Sequence, residues 1–224
     1  MSAGPLPPPR QLAVTSEVRR LAADDVAMIA RIDRSEHVDI EYAVVAGALT
    51  ERPVTMVEIP PWDPTGTGPH SIAAQIEFCR PLIAAGAVLL GVFGNGQPIG
   101  LAVVEPTFEP ELAWLAWLHV TRRYRRCGVA QALWTAATDI ARLAEARSIY
   151  VSATPTGSAV GFYLRQGCRL ADPAHPTLIA NEPDDIHLVC PLDEPRVHPT
   201  AGPFGSPRAP SVTAGTIALR GSGR

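Results

Sequence analysis

Residues 118–133 read Leu-His-Val-Thr-Arg-Arg-Tyr-Arg-Arg-Cys-Gly-Val-Ala-Gln-Ala-Leu. An apolar run ends at Val120 and an arginine-rich turn follows. Beyond Gly128 the apolar residues Val129, Leu133, Ala136, Ala137 and Ile140 recur at helical spacing. A strand that passes through a glycine turn into a helix leaves the first amides of that helix unpaired. Those amides and the positive end of the helix dipole suit an anion, and glycine lets the backbone come close to it. The layout is a cradle for a coenzyme that carries a diphosphate.

Working outward, Leu112 to Val120 is nearly continuous apolar sequence, which suits a central strand buried on both faces. Ala87 to Phe93, the turn Gly94-Asn95-Gly96 and Pro98 to Glu105 read as a hairpin that feeds it. Downstream, Ser148 to Ala153 reads as a strand and Ser158 to Gln166 as a short helix closed by Gly167. Asp185 to Cys190 reads as a last strand. Upstream, Glu17 to Leu21 suits a first strand, and Asp24 offers an N-cap to a helix with Val26, Ile29, Ala30 and Ile32 on one face. Strand-like pieces at Tyr42 to Val45 and Val54 to Ile59 precede a Pro/Gly loop with Trp62. A helix over about 71–85 follows, disturbed at Pro81. The expected fold is α/β, a mixed, mostly antiparallel sheet with helices on both faces.

The chain has 224 residues, 46% of them hydrophobic, enough for one well-cored domain. Residues 1–12 are Pro-rich and expected to be a disordered arm; 13–191 form the domain; 192–224 read as a flexible Pro/Gly/Ser-rich tail. The net charge of -3 argues against a nucleic-acid partner. No run is long and apolar enough to span a membrane, and no secretory signal is visible. Cys79, Cys127, Cys168 and Cys190 lack CxxC or zinc spacing, so no metal is expected and free thiols in a cytoplasmic protein are. All 19 basic residues are arginine, which excludes a Schiff-base or P-loop lysine.

Arg125-Arg126-Cys127-Gly128-Val129-Ala130 resembles the Arg/Gln-x-x-Gly-x-Gly/Ala signature of the GNAT superfamily of acyl-CoA N-acyltransferases. Ser158 through Gly167 resembles that family's second motif, a helix ending in Phe-Tyr-x-x-x-Gly. Together, in order and with a helix and strand between them, the motifs are specific. The resemblance implies a splayed central strand pair and acetyl-CoA as co-substrate, with an amine acceptor as the other partner; a homodimer stays open.

The resemblance also implies site roles. Backbone amides of Arg126, Cys127, Gly128, Val129, Ala130 and Gln131 would bind the pyrophosphate, with Arg125 or Arg126 adding charge and Gly128 avoiding a Cβ that would crowd it. Arg122 and Arg123 meet phosphates or face water. Strand 112–120 would carry a bulge, and its backbone at Leu118, His119 and Val120 would pair with the pantetheine arm. Thr156 stands where many members carry a coenzyme-contacting asparagine. Tyr163 matches the general acid that protonates the leaving thiolate.

The base is open. His119 inside an apolar strand is a candidate, or a hydrogen-bonded core residue. Glu36, Asp39 and Glu41 after the first helix, with Glu105, can accept a proton or recognise an amine; a water chain would also serve. Carboxylates near the first helix favour a cationic acceptor, and Trp62, Trp114, Trp117 and Tyr42 line a pocket or fill core. The reading is an acetyl-CoA-dependent N-acetyltransferase of a small primary amine, acting by direct attack on the thioester. A protein N-terminal or side-chain amine acetyltransferase and a non-catalytic acyl-CoA-sensing module are the alternatives.

Overall fold

The structure, a computed structural model, describes residues 17–192. The expected arm over 1–12 and the tail beyond 192 lie outside the described residues. In chain order the elements are β1 (Val18–Arg20), a 3-10 segment (Ala23–Arg31), β2 (Glu36–Val45), β3 (Ala48–Ile59), α1 (Ile72–Ala84), β4 (Val88–Gly94), β5 (Gln97–Glu109) and β6 (Leu112–Val120). A 3-10 turn (Arg122–Tyr124), α2 (Val129–Leu143), β7 (Ser148–Ala153), α3 (Gly157–Arg165), β8 (Arg169–Leu170), α4 (Pro176–Asn181) and β9 (Ile186–Pro191) complete them.

Seven strands form one sheet in the order β1-β4-β5-β6-β7-β9-β8, and β2-β3 form a separate hairpin. Only β6 and β7 run parallel; the other neighbours in that sheet are antiparallel. The β4–β5 turn places Asn95 at φ +51° and Gly96 at φ +74°, the left-handed pair a two-residue hairpin needs.

Side chains on β5 alternate between two cores. Ala102 and Val104 face α2, whose Leu133, Trp134 and Ala137 are buried. Leu101 and Val103 face the other layer, where Val26, Ile29 and Cys79 lie. A strand buried on both faces explains its unbroken apolar run. Each large side chain taken fully out of water, such as Leu101 or Leu133, contributes about 1.5–3 kcal/mol. Gly100 sets the spacing of α2 from the sheet, since a Cβ there would meet Val129 Cγ1 at 2.6 Å.

Several expectations need correction. The first helix is a 3-10 segment, and Asp24 is not its cap: Ala22 holds that place, its N–H donating to Asp25 Oδ2 at 3.0 Å. The strand pieces after it are one long hairpin, turned at Ala46 (φ +50°) and Gly47 (φ +78°). Pro81 sits inside α1 without ending it, and Ser71 Oγ caps that helix by accepting from Ala74 N–H. β8 and α4 had no counterpart in the sequence reading. Leu192, assigned to the tail, is buried and donates its N–H to Arg147 O at 2.7 Å.

Candidate functional site

The site begins where two parallel strands part. β6 and β7 pair only from Leu112↔Ser148 to Leu115↔Val151. Opposite β5 the register slips between Val103↔Trp117 and Val104↔Leu115, so Ala116 is the extra residue of a β-bulge. Beyond it β6 has no neighbour on its β7 side. Thr121 N–H donates to Ile99 O at 2.9 Å. Antiparallel alternation then turns His119 toward β5 and turns the N–H and C=O of Leu118 and Val120 into the gap.

At the mouth of the gap the chain builds the amide cradle. Arg126 (φ +61°) and Gly128 (φ +81°) are both left-handed, which curls the backbone before α2. The first bond inside the helix runs from Ala132 N–H to Gly128 O, and no side chain caps this end. The amides of Val129, Ala130 and Gln131 therefore have no partner among the described residues. The backbone gives a reason for Gly128 besides the one expected. A Cβ there would meet nothing within 4 Å, so its conformation, not crowding by protein atoms, is what favours glycine. Cys127 is exposed. Reciprocal amide bonds of 3.1 and 2.8 Å tie Gln131 to Gln166 and clamp the start of α2 to the end of α3.

Arg125, unlike Arg126, faces the protein. Its Nη1 lies 3.0 Å from Glu36 Oε2, Nη2 donates to Arg34 O at 2.7 Å, and Nε donates to Val120 O at 3.3 Å. Charge at the cradle falls to the exposed Arg126. The same pair removes the case for Glu36 as base, because its carboxylate is half-buried against a guanidinium. Thr156 is likewise committed: its Oγ1 accepts from Ala159 N–H at 3.3 Å as the N-cap of α3.

Tyr163 points from α3 toward α2 and packs on Trp134 at 5.5 Å between ring centroids. It is 7% exposed. Burial raises its pKa, with Cys168 and Asp185 adding to the effect, so the phenol stays protonated.

His119, open in the sequence between a base and a core residue, sits among aromatic rings. Its ring lies 4.5 Å from Trp117 and 5.2 Å from Trp62, with the Arg34 guanidinium stacked on Trp62 at 4.2 Å. Desolvation, then the charges of Arg34 and Arg125, push its pKa down to about 3. An imidazole that resists a proton this strongly is a poor base for an ammonium. The tryptophans are core: Trp62, Trp114 and Trp117 are each 5–6% exposed.

The hairpin carboxylates are largely spoken for. Glu41 pairs with Arg52 at 3.0 Å, and Tyr42 donates to Glu51 at 2.7 Å. Tyr42 N–H donates to Pro155 O, which lays the hairpin against the β7–α3 turn. Asp39 is exposed. Burial raises the pKa of Glu105.

A second group of polar residues lies where β7 meets β9, on the side of β7 away from the gap, and sequence reading missed it. Ser152 Oγ lies 3.4 Å from His187 Nδ1. His187 Nε2 lies 3.0 Å from Glu182 O. Asp185 is pushed up to about 7 by burial, then by the charges of Glu182 and Asp184. The sequence signal for this group is the Asp184-Asp185 pair directly before the last strand. Among the described residues, no cluster of His, Cys, Asp and Glu is placed to hold a metal, and no helix is long and apolar enough to cross a membrane.

The family model for the GNAT acetyltransferases matches residues 55–168. No curated protein sequence matches. A nourseothricin acetyltransferase is similar in structure, with a TM-score of 0.60 and 20% identity over 79% of this chain and 98% of that one. A protein provisionally named streptothricin acetyltransferase, from Bacillus anthracis str. Ames and in complex with acetyl coenzyme A, gives 0.59 and 17% over 79% and 98%. N-acetylglutamate synthase from Neisseria gonorrhoeae, with coenzyme A and L-arginine, gives 0.53 and 17% over 80% of this chain and 33% of that one. These likenesses show a shared fold.

Proposed function

We propose that this chain, which belongs to the GNAT family of acetyltransferases, moves the acetyl group of acetyl-CoA to a primary amine of a small molecule by direct attack on the thioester. The observation that carries the reading is the unpaired first turn of α2, preceded by left-handed Arg126 and Gly128, at the mouth of the gap between β6 and β7. Its free amides and exposed arginine fit a diphosphate. The edge of β6 at Leu118 and the N–H of Val120, whose carbonyl Arg125 holds, fit an arm that adds to β6 by backbone hydrogen bonds.

Acetyl-CoA supplies an activated acyl group. The protein supplies placement and charge. Amides of Val129, Ala130 and Gln131 hold the anionic end, with Arg126 beside them. A strand amide freed next to the Ala116 bulge is a donor for the carbonyl oxygen. Tyr163, kept protonated by its surroundings, donates toward the departing sulfur. Arg125 and Glu36 brace the loop instead of reacting. The four cysteines make no disulfide, which suits the reducing cytoplasm where we place the reaction.

The test is release of free thiol from acetyl-CoA across a panel of primary amines, with saturation in both substrates. Amine-dependent release supports the reading. Saturable acetyl-CoA binding with no amine acetylated by the native chain overturns the small-molecule assignment.

A further inference from the structure

We propose that the cavity lined by Arg31, Asp33, Thr121, Arg122 and Arg123 binds the phosphate group of a small molecule, apart from the diphosphate cradle. The inference does not rest on the acetyl transfer proposed above.

The cavity measures about 450 Å³, within the range of small-molecule sites. It lies between the end of the first 3-10 segment and the turn that follows β6, where Arg122 N–H donates to Asp33 O at 2.9 Å. That 3-10 segment packs through Val26 and Ile29 on one face of the sheet, while α2 packs through Val129 and Leu133 on the other. The cavity and the amides of α2 are therefore built with opposite layers. The cavity is a second place for an anion.

Its charge is the first observation. Three guanidiniums meet one carboxylate, in a chain whose net charge is -3. Neither Arg31 nor Arg123 has an ion pair among the described residues, and Arg122 reaches only the exposed Glu58, at 4.0 Å. Their nearer partners are neutral. Arg31 Nη1 donates to Gln97 Oε1 at 2.7 Å, Arg122 Nη1 donates to Ser35 Oγ at 3.5 Å, and the Arg123 guanidinium stacks on Tyr124 at 5.0 Å. Asp33 is occupied locally, its Oδ1 accepting from Ser35 N–H at 3.0 Å. Like charges gathered without a counter-ion repel one another. A phosphate answers them, because its oxygens match the fork of a guanidinium.

The second observation is independent of charge. Thr121 is 8% exposed, and its buried Oγ1 has no hydrogen-bond partner among the described residues. Its N–H is already given to Ile99 O. A buried hydroxyl left without a partner is rare and costly. This one belongs to a residue of the cavity wall, and a phosphate oxygen supplies the acceptor it lacks.

The test is calorimetric titration of the full chain with inorganic phosphate, at an ionic strength held constant with chloride. One saturable site is expected, with the urea midpoint raised by phosphate and not by chloride. Arg31→Gln is expected to bind about tenfold more weakly, and Thr121→Val about threefold. Without phosphate, Thr121→Val is expected to be no less stable than native, since its hydroxyl has no bond to lose among the described residues. Asp33→Asn keeps an acceptor for Ser35 N–H and removes the opposing charge, so it is expected to bind more tightly. Arg80→Gln, the same loss of charge on the exposed surface of α1, is expected to bind as the native chain does. Equal midpoints in phosphate and chloride overturn the inference. So does native affinity in Arg31→Gln or Thr121→Val, or equal weakening in Arg80→Gln. A repeat with saturating acetyl-CoA identifies the carrier, and either result keeps the site. Displacement of phosphate by acetyl-CoA, but not by the form lacking the ribose phosphate, assigns the site to the coenzyme; undisturbed binding assigns it to a separate phosphorylated molecule. Failure of the chain to bind acetyl-CoA would overturn the acetyltransferase reading and leave the phosphate titration standing.

Discussion

Arg125 Nη1 sits 3.0 Å from Glu36 Oε2, so the turn that follows β6 is bolted to the first residue of β2. The same guanidinium holds the Arg34 and Val120 carbonyls. One side chain therefore fixes the free end of β6, the turn before the cradle and the start of the hairpin. Arg125→Ala strips three acceptors of their donor in a part-buried place. We expect a stability loss of about 1–3 kcal/mol, read as a lower urea midpoint. A variant as stable as the native chain would mean that the bolt carries no stability.

Arg126 gives the opposite signature. It is exposed and left-handed at φ +61°, a conformation that costs a non-glycine residue about 1 kcal/mol or more. Arg126→Gly relieves that cost while removing the cradle's exposed charge. The expected outcome is a chain no less stable than native that binds acetyl-CoA more weakly, measured by melting and calorimetry. Unchanged affinity would remove Arg126 from the coenzyme site.

His119 makes a pH prediction. Unfolded, it titrates near 6.5; folded, it is pushed down to about 3. Between those values the unfolded chain holds a proton that the native chain refuses. Its contribution to stability is complete above about 6.5 and is lost as pH falls toward about 3. His119→Phe is expected to lessen the loss of stability across that window, seen as a flatter plot of urea midpoint against pH. An equal slope in both proteins would mean that His119 titrates normally in the fold.

Much of the fold was legible because its cues are local. Asn95-Gly96 announced a hairpin, the unbroken run Leu112 to Val120 announced a central strand, and Gly128 followed by helical periodicity announced α2. The long β2-β3 hairpin was obscured because Ala46, a residue that rarely goes left-handed, makes its turn. Asp24 misled as a cap because Asp25 does that work one residue later, in a 3-10 segment. The site was harder to read, since it depends on who meets whom in space. Nothing in the sequence says that Arg125 turns inward to Glu36 or that the His119 ring meets Trp62. Each of those contacts joins residues far apart along the chain.

Tyr163→Phe removes only an oxygen and its proton from a buried site packed on Trp134. The ring and its packing stay in place, so the fold is expected to tolerate it. The expected result is a fall of about 10²-fold in kcat with acetyl-CoA affinity unchanged, from steady-state assays and calorimetry. Unchanged kcat would remove the acid role.

The central claim is that the left-handed turn at Arg126 and Gly128 and the unpaired amides behind it hold acetyl-CoA. The most direct test is the unfolding free energy of the full chain with and without that molecule. At about a hundredfold excess over the dissociation constant, specific binding stabilises the native state by about 2.7 kcal/mol, and Arg126→Gly should need more ligand to reach the same gain. No stabilisation of the native chain at any concentration of acetyl-CoA would contradict the account.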